Sequence, residues 1–300
     1  MCRAQLSHMA KRHLDVVVIS DVHLGTGGCQ ATELNRYLKS IKPSILVLNG
    51  DIIDGWQFKK SFFPEAHFKV VRRFMKMMEQ GTKIYYLTGN HDEVLRQFTD
   101  LNLGSFQLID KLVLDLDGKR AWIFHGDIFD VTMRYSKWIA KLGAVGYEFL
   151  IKLNTLVNNI SRFFGKGKIS LSKRIKDSVK KAVSFVSDFE LTTTELAIDS
   201  GYDYVVVGHI HKPNMQRFSN EKGSVLYLNS GDWVENLTAL EYNEGEWSLF
   251  RYAESDFADV DIRIPEPPEE VELNIREKVI GTLLTNGFSN AHTLRNTGNG

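Results

Sequence analysis

Apolar residues fall in short unbroken runs along the first third of the chain. Residues 16–19 (Val-Val-Val-Ile), 45–48 (Ile-Leu-Val-Leu) and 84–87 (Ile-Tyr-Tyr-Leu) carry no charged side chain, the pattern of buried strands. Between them, residues 32–41 and 67–80 read as helices. This βαβα order predicts parallel strands in an α/β fold. Further on the pattern changes. Residues 112–116 and 120–124 flank Asp117-Gly118, a tight-hairpin signal. Residues 238–242 and 247–252 flank Asn243-Glu244-Gly245 in the same way. Parallel units plus hairpins predict two sheets, or one mixed sheet, with helices outside.

Residues 134–181 form a block of a different kind. Trp138, Leu142, Val145, Phe149, Leu153, Leu156, Ile160 and Phe163 recur at three- and four-residue steps, which predicts an amphipathic helix, broken near Gly143 or Gly146. Gly165-Lys166-Gly167 ends it, and a basic helix is predicted over 172–185. The block holds twelve Lys and Arg against Glu148 and Asp177, a net charge of +10, so the remainder carries −10. After Tyr252 the chain turns acidic; residues 265–270 read as a linker, 272–284 as a weak helix, and 286–300 as disordered. The predicted organisation is a catalytic domain over 14–255, a helical basic insertion over 129–198 within it, and an acidic and polar tail over 256–300.

Composition narrows the class. The 300 residues are 43% apolar and 25% charged with no net charge, enough for a sizeable core and unlike a general nucleic-acid coat protein, which would be strongly basic. Cys2 and Cys29 cannot build a disulfide framework and fit a reducing compartment. No run of about 18 apolar residues predicts a transmembrane helix. The first thirteen residues lack the apolar core of a signal peptide, with Met9 an alternative start. The expected location is the cytoplasm.

Five of the nine histidines lie in short motifs at predicted strand ends. Residues 16–20 run into Asp21-Val22-His23, 45–49 into Gly50-Asp51, 84–88 into Gly89-Asn90-His91-Asp92, 122–124 into His125-Gly126-Asp127, and 204–207 into Gly208-His209-Ile210-His211. Ligands of open α/β sheets bind beyond the carboxyl ends of strands. The five segments therefore aim carboxylate, amide and imidazole groups at one crevice, a donor set suited to divalent metals. Each motif alone marks an ordinary turn or cap; the ordered set of five is the signal.

In this order the motifs resemble the calcineurin-like metallophosphoesterases, over roughly residues 14–252. The resemblance implies a two-sheet αββα sandwich and two divalent metal ions, manganese by expectation, with iron or zinc also compatible. It implies that Asp21, His23, Asp51 and His211 hold one ion and that Asp51, Asn90, His125 and His209 hold the other, Asp51 bridging. His91 is then available to protonate the leaving oxygen, with Asp92 either orienting its ring or capping the turn. The expected catalytic residues are thus His91, Asp92 and Asn90.

Within that superfamily the layout is most similar to the UDP-2,3-diacylglucosamine pyrophosphatases of lipid A synthesis. The likeness rests on Asp21-Val22-His23-Leu24-Gly25, on the basic insertion between His125 and Gly208-His209-Ile210-His211-Lys212-Pro213, and on Gly231-Asp232-Trp233. It implies a nucleotide-linked lipid as substrate, an anionic membrane surface as partner, a peripheral position on the inner face of the membrane, and substrate contacts from Lys180 and Lys181. The branch often carries Arg where His91 stands and lacks the tail. Alternatives are a phosphatase or phosphodiesterase acting on a soluble phosphoprotein, nucleotide or nucleic acid, although the apolar spacing of the insertion disfavours nucleic acid. A non-catalytic scaffold on the same fold fits less well with a complete ligand set.

Overall fold

The computed structural model describes residues 11–56, 63–131 and 171–257. Twelve strands among these residues form two sheets. The first has the order β12-β11-β1-β2-β3-β5-β4 and the second β6-β7-β8-β10-β9. The central strands of the first are β1 (Arg12–Ile19), β2 (Ile41–Asn49) and β3 (Lys83–Leu87), parallel to one another. Helices α1 (Ala31–Ser40) and α2 (Glu65–Glu79) provide the crossovers. β5 (Phe106–Ile109) and β4 (Leu101–Leu103) extend the sheet on one side, and β11 (Thr238–Asn243) and β12 (Glu246–Arg251) on the other. The second sheet sets β6 (Lys111–Leu116), β7 (Lys119–Phe124) and β8 (Tyr204–Val207) beside β10 (Gly223–Asn229) and β9 (Asn214–Asn220). Of the arrangements the patterning left open, two sheets is the one found, and it is the α/β sandwich that the resemblance implies.

The unbroken apolar runs have a simple cause. Side chains alternate along a strand, and the first sheet is covered on both faces. Val17, Ile19, Leu46 and Leu48 join Leu34, Leu38, Val70 and Met77 of the helices in one core. Val16, Val18 and Val47 join Leu112, Ile123, Val206 and Leu228 of the second sheet in another. Each fully buried branched side chain contributes about 1.5–3 kcal/mol, so a one-residue slip in register would lose contacts on both sides at once.

The elements differ from expectation at their edges. β2 follows α1 directly, Ile41 starting the strand, because Pro43 tolerates an extended backbone but not a helix interior. β4, β5, β9 and β10 were not anticipated. β4 is exposed throughout and β9 mostly so, which leaves them without an apolar period.

The described chain divides into two compact units, cut between His125 and Gly126 and between Leu196 and Ala197. Both sheets belong to the first unit. In the second, a 3₁₀ turn (Asp127–Val131) precedes most of α3 (Leu171–Asp199), and Phe129 meets Phe189 edge-on at 5.7 Å. The helix expected over 172–185 thus runs further, to Asp199, where Gly201 in left-handed backbone ends it. The amphipathic segment at 138–163, the linker and the weak helix at 272–284 lie outside the described residues. So do the side chains of Lys180 and Lys181. Among the described residues no helix is long and apolar enough to cross a membrane.

Candidate metal centre

All five sequence motifs sit just past the carboxyl ends of strands: β1, β2 and β3 of the first sheet, β7 and β8 of the second. The chain turns sharply there. Asp21, His23, Asp51, His209 and His211 all adopt left-handed backbone, with φ of 52°, 53°, 53°, 67° and 51°. Such conformations are uncommon outside glycine and cluster at functional sites. A short ladder holds them. Asp21 N donates to Gly50 O (3.1 Å), His23 N to Asp51 O (3.0 Å), Leu24 N to Ile52 O (2.9 Å) and Asp54 N to Leu24 O (3.0 Å). Two glycines allow the close approach. A Cβ on Gly89 would overlap the Asp51 carboxylate, and one on Gly208 would stand 2.7 Å from Asp21 Oδ2.

The ligand atoms converge in three groups, each within 4.8 Å: Asp21, His23 and His211; Asp51, His125 and His209; and His23, Asp51 and His91. Asp51 groups with His125 and His209 and, separately, with His23 of the first group, so its carboxylate stands between the two sets. The histidines are oriented from behind. His125 Nδ1 donates to Asn49 O at 2.8 Å, which leaves Nε2 facing Asp51 Oδ2 at 3.3 Å. His23 Nδ1 lies 3.2 Å from Asp54 Oδ2, and its Nε2 faces His211 Nε2 at 3.4 Å. Backbone carbonyl and carboxylate partners on Nδ1 are the usual means of fixing a ligating tautomer.

The residues fit divalent cations. Asn90 is buried, yet its Oδ1 has no hydrogen-bond partner. An amide oxygen sealed from water without a donor is costly unless it meets a cation. Charge tells the same story. Burial alone would raise the Asp21 carboxyl, but His211 at 3.1 Å holds it well below the usual range. Burial would lower His211, and Asp21 instead pushes it up to about 9. For Asp51, burial is again outweighed by the adjacent His125 imidazole, and its pKa falls.

His91 stands at the edge of these groups. Its Nδ1 lies 2.9 Å from Asp54 Oδ2, and the half-exposed Trp56 indole covers its ring at a centroid distance of 4.5 Å. Burial would lower its pKa; the bond to Asp54 reverses that and raises it. Of the two roles open to Asp92, orienting His91 is the one the geometry removes. Asp92 is buried and turns back into its own loop, accepting from Gly89 N (2.6 Å), Ile52 N (3.0 Å) and Tyr86 OH (2.6 Å). It is the turn-capping carboxylate, kept above its ordinary pKa by burial and by Asp51.

The residue that does hold His91 is Asp54, fully buried and shared with His23. The sequence carried one sign of it, a second carboxylate three positions after Asp51. A further support is Asp232, whose Oδ1 accepts from the backbone of Val234, Glu235 and Asn236 at 2.8, 2.5 and 3.2 Å. Asn236 Nδ2 in turn donates to His211 O at 2.9 Å. Gly25 N donates to the buried His67 of α2 at 2.9 Å, tying the β1 loop to the helix layer.

Comparison with known proteins adds three findings. Residues 14–213 match the family described as calcineurin-like phosphoesterase. A UDP-2,3-diacylglucosamine hydrolase of Aliivibrio fischeri (strain MJ11) is 24% identical over 247 residues, 79% of this chain and 98% of that protein. One of Aeromonas salmonicida (strain A449) is 25% identical over 244 residues, 79% of this chain and 92% of that protein. Among solved structures, a novel archaeal phosphodiesterase is 14% identical with a TM-score of 0.39, covering 79% of this chain and 98% of that one.

Proposed function

This chain belongs to the calcineurin-like phosphoesterases and is a metal-dependent hydrolase of phosphoesters, and from that premise we propose that it cleaves the diphosphate of UDP-2,3-diacylglucosamine or a related nucleotide-linked lipid. The observation that carries the reading is the pair of adjacent ligand groups, Asp21-His23-His211 and Asp51-His125-His209, with Asp51 also grouped with His23 of the first. The choice of substrate is supported by the hydrolases of that name, which align with this chain over nearly their full length. Manganese is the proposed metal, since the donors are carboxylate, amide and imidazole with no thiolate.

In this reading Asp21, His23 and His211 hold one ion, Asn90, His125 and His209 the other, and Asp51 joins them. Ions so held would neutralise charge on the phosphoryl group and acidify water at neutral pH. The protein supplies the rest. Asp54 fixes the His91 ring and favours its protonated form. His91 Nε2 gives its proton to the leaving oxygen. Gly89 and Gly208 keep the carboxylates of Asp51 and Asp21 within reach of the crevice. The basic block over 134–181 is proposed to meet the lipid and the anionic membrane surface, with Lys180 and Lys181 on the diphosphate.

The test is hydrolysis of a panel holding UDP-2,3-diacylglucosamine, bis-p-nitrophenyl phosphate, a phosphopeptide and single-stranded DNA, with Mn²⁺ and with chelator. The reading requires metal-dependent release of UMP from the diacylated substrate at the highest rate in the panel. A preference for phosphopeptide or DNA would remove the lipid assignment and leave the phosphoesterase.

A further inference from the structure

At the amino ends of β1 and β2, opposite the metal centre, positive charge collects around a buried guanidinium. Arg73 lies on the inner face of α2 between Val70 and Phe74 and is only 6% exposed. Its Nε is sealed from solvent, and among the described residues nothing accepts a hydrogen bond from it. A buried cation ordinarily finds a carboxylate, because desolvation without a partner is expensive. Arg12, nearby at the start of β1, is itself exposed and still has such a partner: its two terminal nitrogens donate to both oxygens of the buried Glu241 at 2.7 and 2.8 Å.

The charges acting on Arg73 and its neighbours are instead cations. Arg73 is held below its ordinary pKa by burial and then by Arg72. Lys11, whose Nζ donates to Gln80 at the end of α2 (3.3 Å), is lowered by burial and then by Arg73, Lys76 and Lys42. Lys39 is lowered by burial and then by Arg73, Lys69, Arg72 and Arg36. Helix dipoles explain part of this, since Lys39 and Lys76 occupy the last turns of α1 and α2. They do not explain a buried guanidinium two turns from a helix end whose charged neighbours repel it.

We infer that this flank is a second, non-catalytic site that binds a phosphate group, with Arg73 at its base and Lys11 and Lys39 beside it. A single carboxylate would leave most of the surrounding charge unmet. A phosphate monoester, with close to two negative charges and three acceptor oxygens, matches a guanidinium fork flanked by ammonium groups. The same group is presented by free phosphate and by a phospholipid head.

Inorganic phosphate is titrated calorimetrically into the metal-loaded full chain and into Asp51→Ala, which separates phosphate at the metal centre. The expected result is a phosphate site common to both proteins that Arg73→Met weakens at least tenfold. Hydrolysis of bis-p-nitrophenyl phosphate by Arg73→Met stays unchanged. Lys11→Gln/Lys39→Gln, on partly exposed side chains, weakens the same site and covers a folding defect in Arg73→Met. Sedimentation with phosphatidic acid vesicles, against phosphatidylcholine alone, assigns the source. Retention lost in Arg73→Met means a lipid head, and no retention means a soluble phosphate. Equal phosphate binding by wild type and both variants overturns the inference, as does loss of all phosphate binding in Asp51→Ala. It is also overturned if binding appears only in Glu266→Gln/Glu269→Gln/Glu270→Gln, because the chain's own acidic stretch would then fill the site.

Discussion

Past the carboxyl ends of β1 and β2, Asp21, His23 and Asp51 stand in left-handed backbone, and their charges are matched by imidazoles. At the amino ends of the same strands, Arg12 and Lys42 sit in ordinary extended chain, while Arg73 nearby is buried, its Nε without a hydrogen-bond partner among the described residues. One end carries conformational strain, about 1 kcal/mol or more per residue, and organises its charges. The other is conformationally relaxed and electrostatically frustrated. Strain and unmatched charge are different ways of storing free energy, and each predicts what relieves it. The strained end is built around cations. The frustrated end is relieved by an anion or by losing a charge.

The largest effects should come from breaking the strained end. Asp51→Ala removes the residue common to two ligand groups, and elemental analysis should find most metal gone and hydrolysis at background. Gly89→Ala should do nearly the same with an intact circular dichroism spectrum, since the added methyl meets Asp51, both its carboxylate and its backbone nitrogen, rather than the core. Retained metal in Gly89→Ala would mean that the loop yields and that its geometry is not enforced.

The next pair separates ligand from proton donor. His91→Ala should keep its metal content while kcat falls by roughly 10²–10⁴-fold, the range of a positioned general acid. Asp54→Asn should lower kcat by about 10–100-fold, as losses of a ligand's supporting partner do. A general acid works below its pKa, and Asp54 holds that of His91 up. The alkaline limb of the pH–rate profile should therefore move to lower pH in Asp54→Asn, a shift that a purely structural loss would not produce.

A gentler probe is pH on the metal-free protein. His211 is raised from 6.5 to about 9, so its pairing stabilises the fold fully below pH 6.5 and is lost as pH climbs through 9. Asp21 is depressed from 3.8, so its share is present above that value and disappears as pH falls through its lowered folded pKa. A metal must displace the His211 proton. Affinity measured by competition with a chromophoric chelator should rise by about tenfold per pH unit between pH 7 and 9 for one proton released.

The smallest effect sharpens the other end. Arg12→Met should lower the urea midpoint by the equivalent of about 1–2 kcal/mol, because it leaves the buried Glu241 without its cation and with Tyr37 OH as its remaining side-chain donor. Arg73→Met, in phosphate-free buffer, should leave the midpoint unchanged or raise it. Equal destabilisation by both would mean that Arg73 has a hidden partner.

The sequence made some of this legible and some not, for physical reasons. β1, β2 and β3 were readable because both faces of the first sheet are buried and each run is apolar throughout. The convergence of the candidate ligand residues was readable because strand ends bring them to one edge regardless of the connections. Asp54 was not. Its partners His23 and His91 lie 31 and 37 residues away, and only the fold makes them neighbours. The role of Asp92 stayed open between two for the complementary reason. It follows His91 in sequence, but successive side chains in a turn diverge, and this one returns to cap Gly89. β9 escaped because an exposed edge strand has no apolar face to betray it.

His125 Nδ1 reaches across from the second sheet to Asn49 of the first, and β1 is completed only when Val16 pairs with Tyr242 near the far end of the described chain. During synthesis Asp21 and Asp51 therefore leave the ribosome well before His209 and His211 exist. A nascent chain stalled before residue 209 would have the amino-terminal acids but neither closing histidine. Metal capture is consequently a late event in biogenesis. In refolding, the far-ultraviolet signal of the sheets should recover ahead of metal protection, and chelator present only during the last phase should suffice to trap a fully folded, empty enzyme.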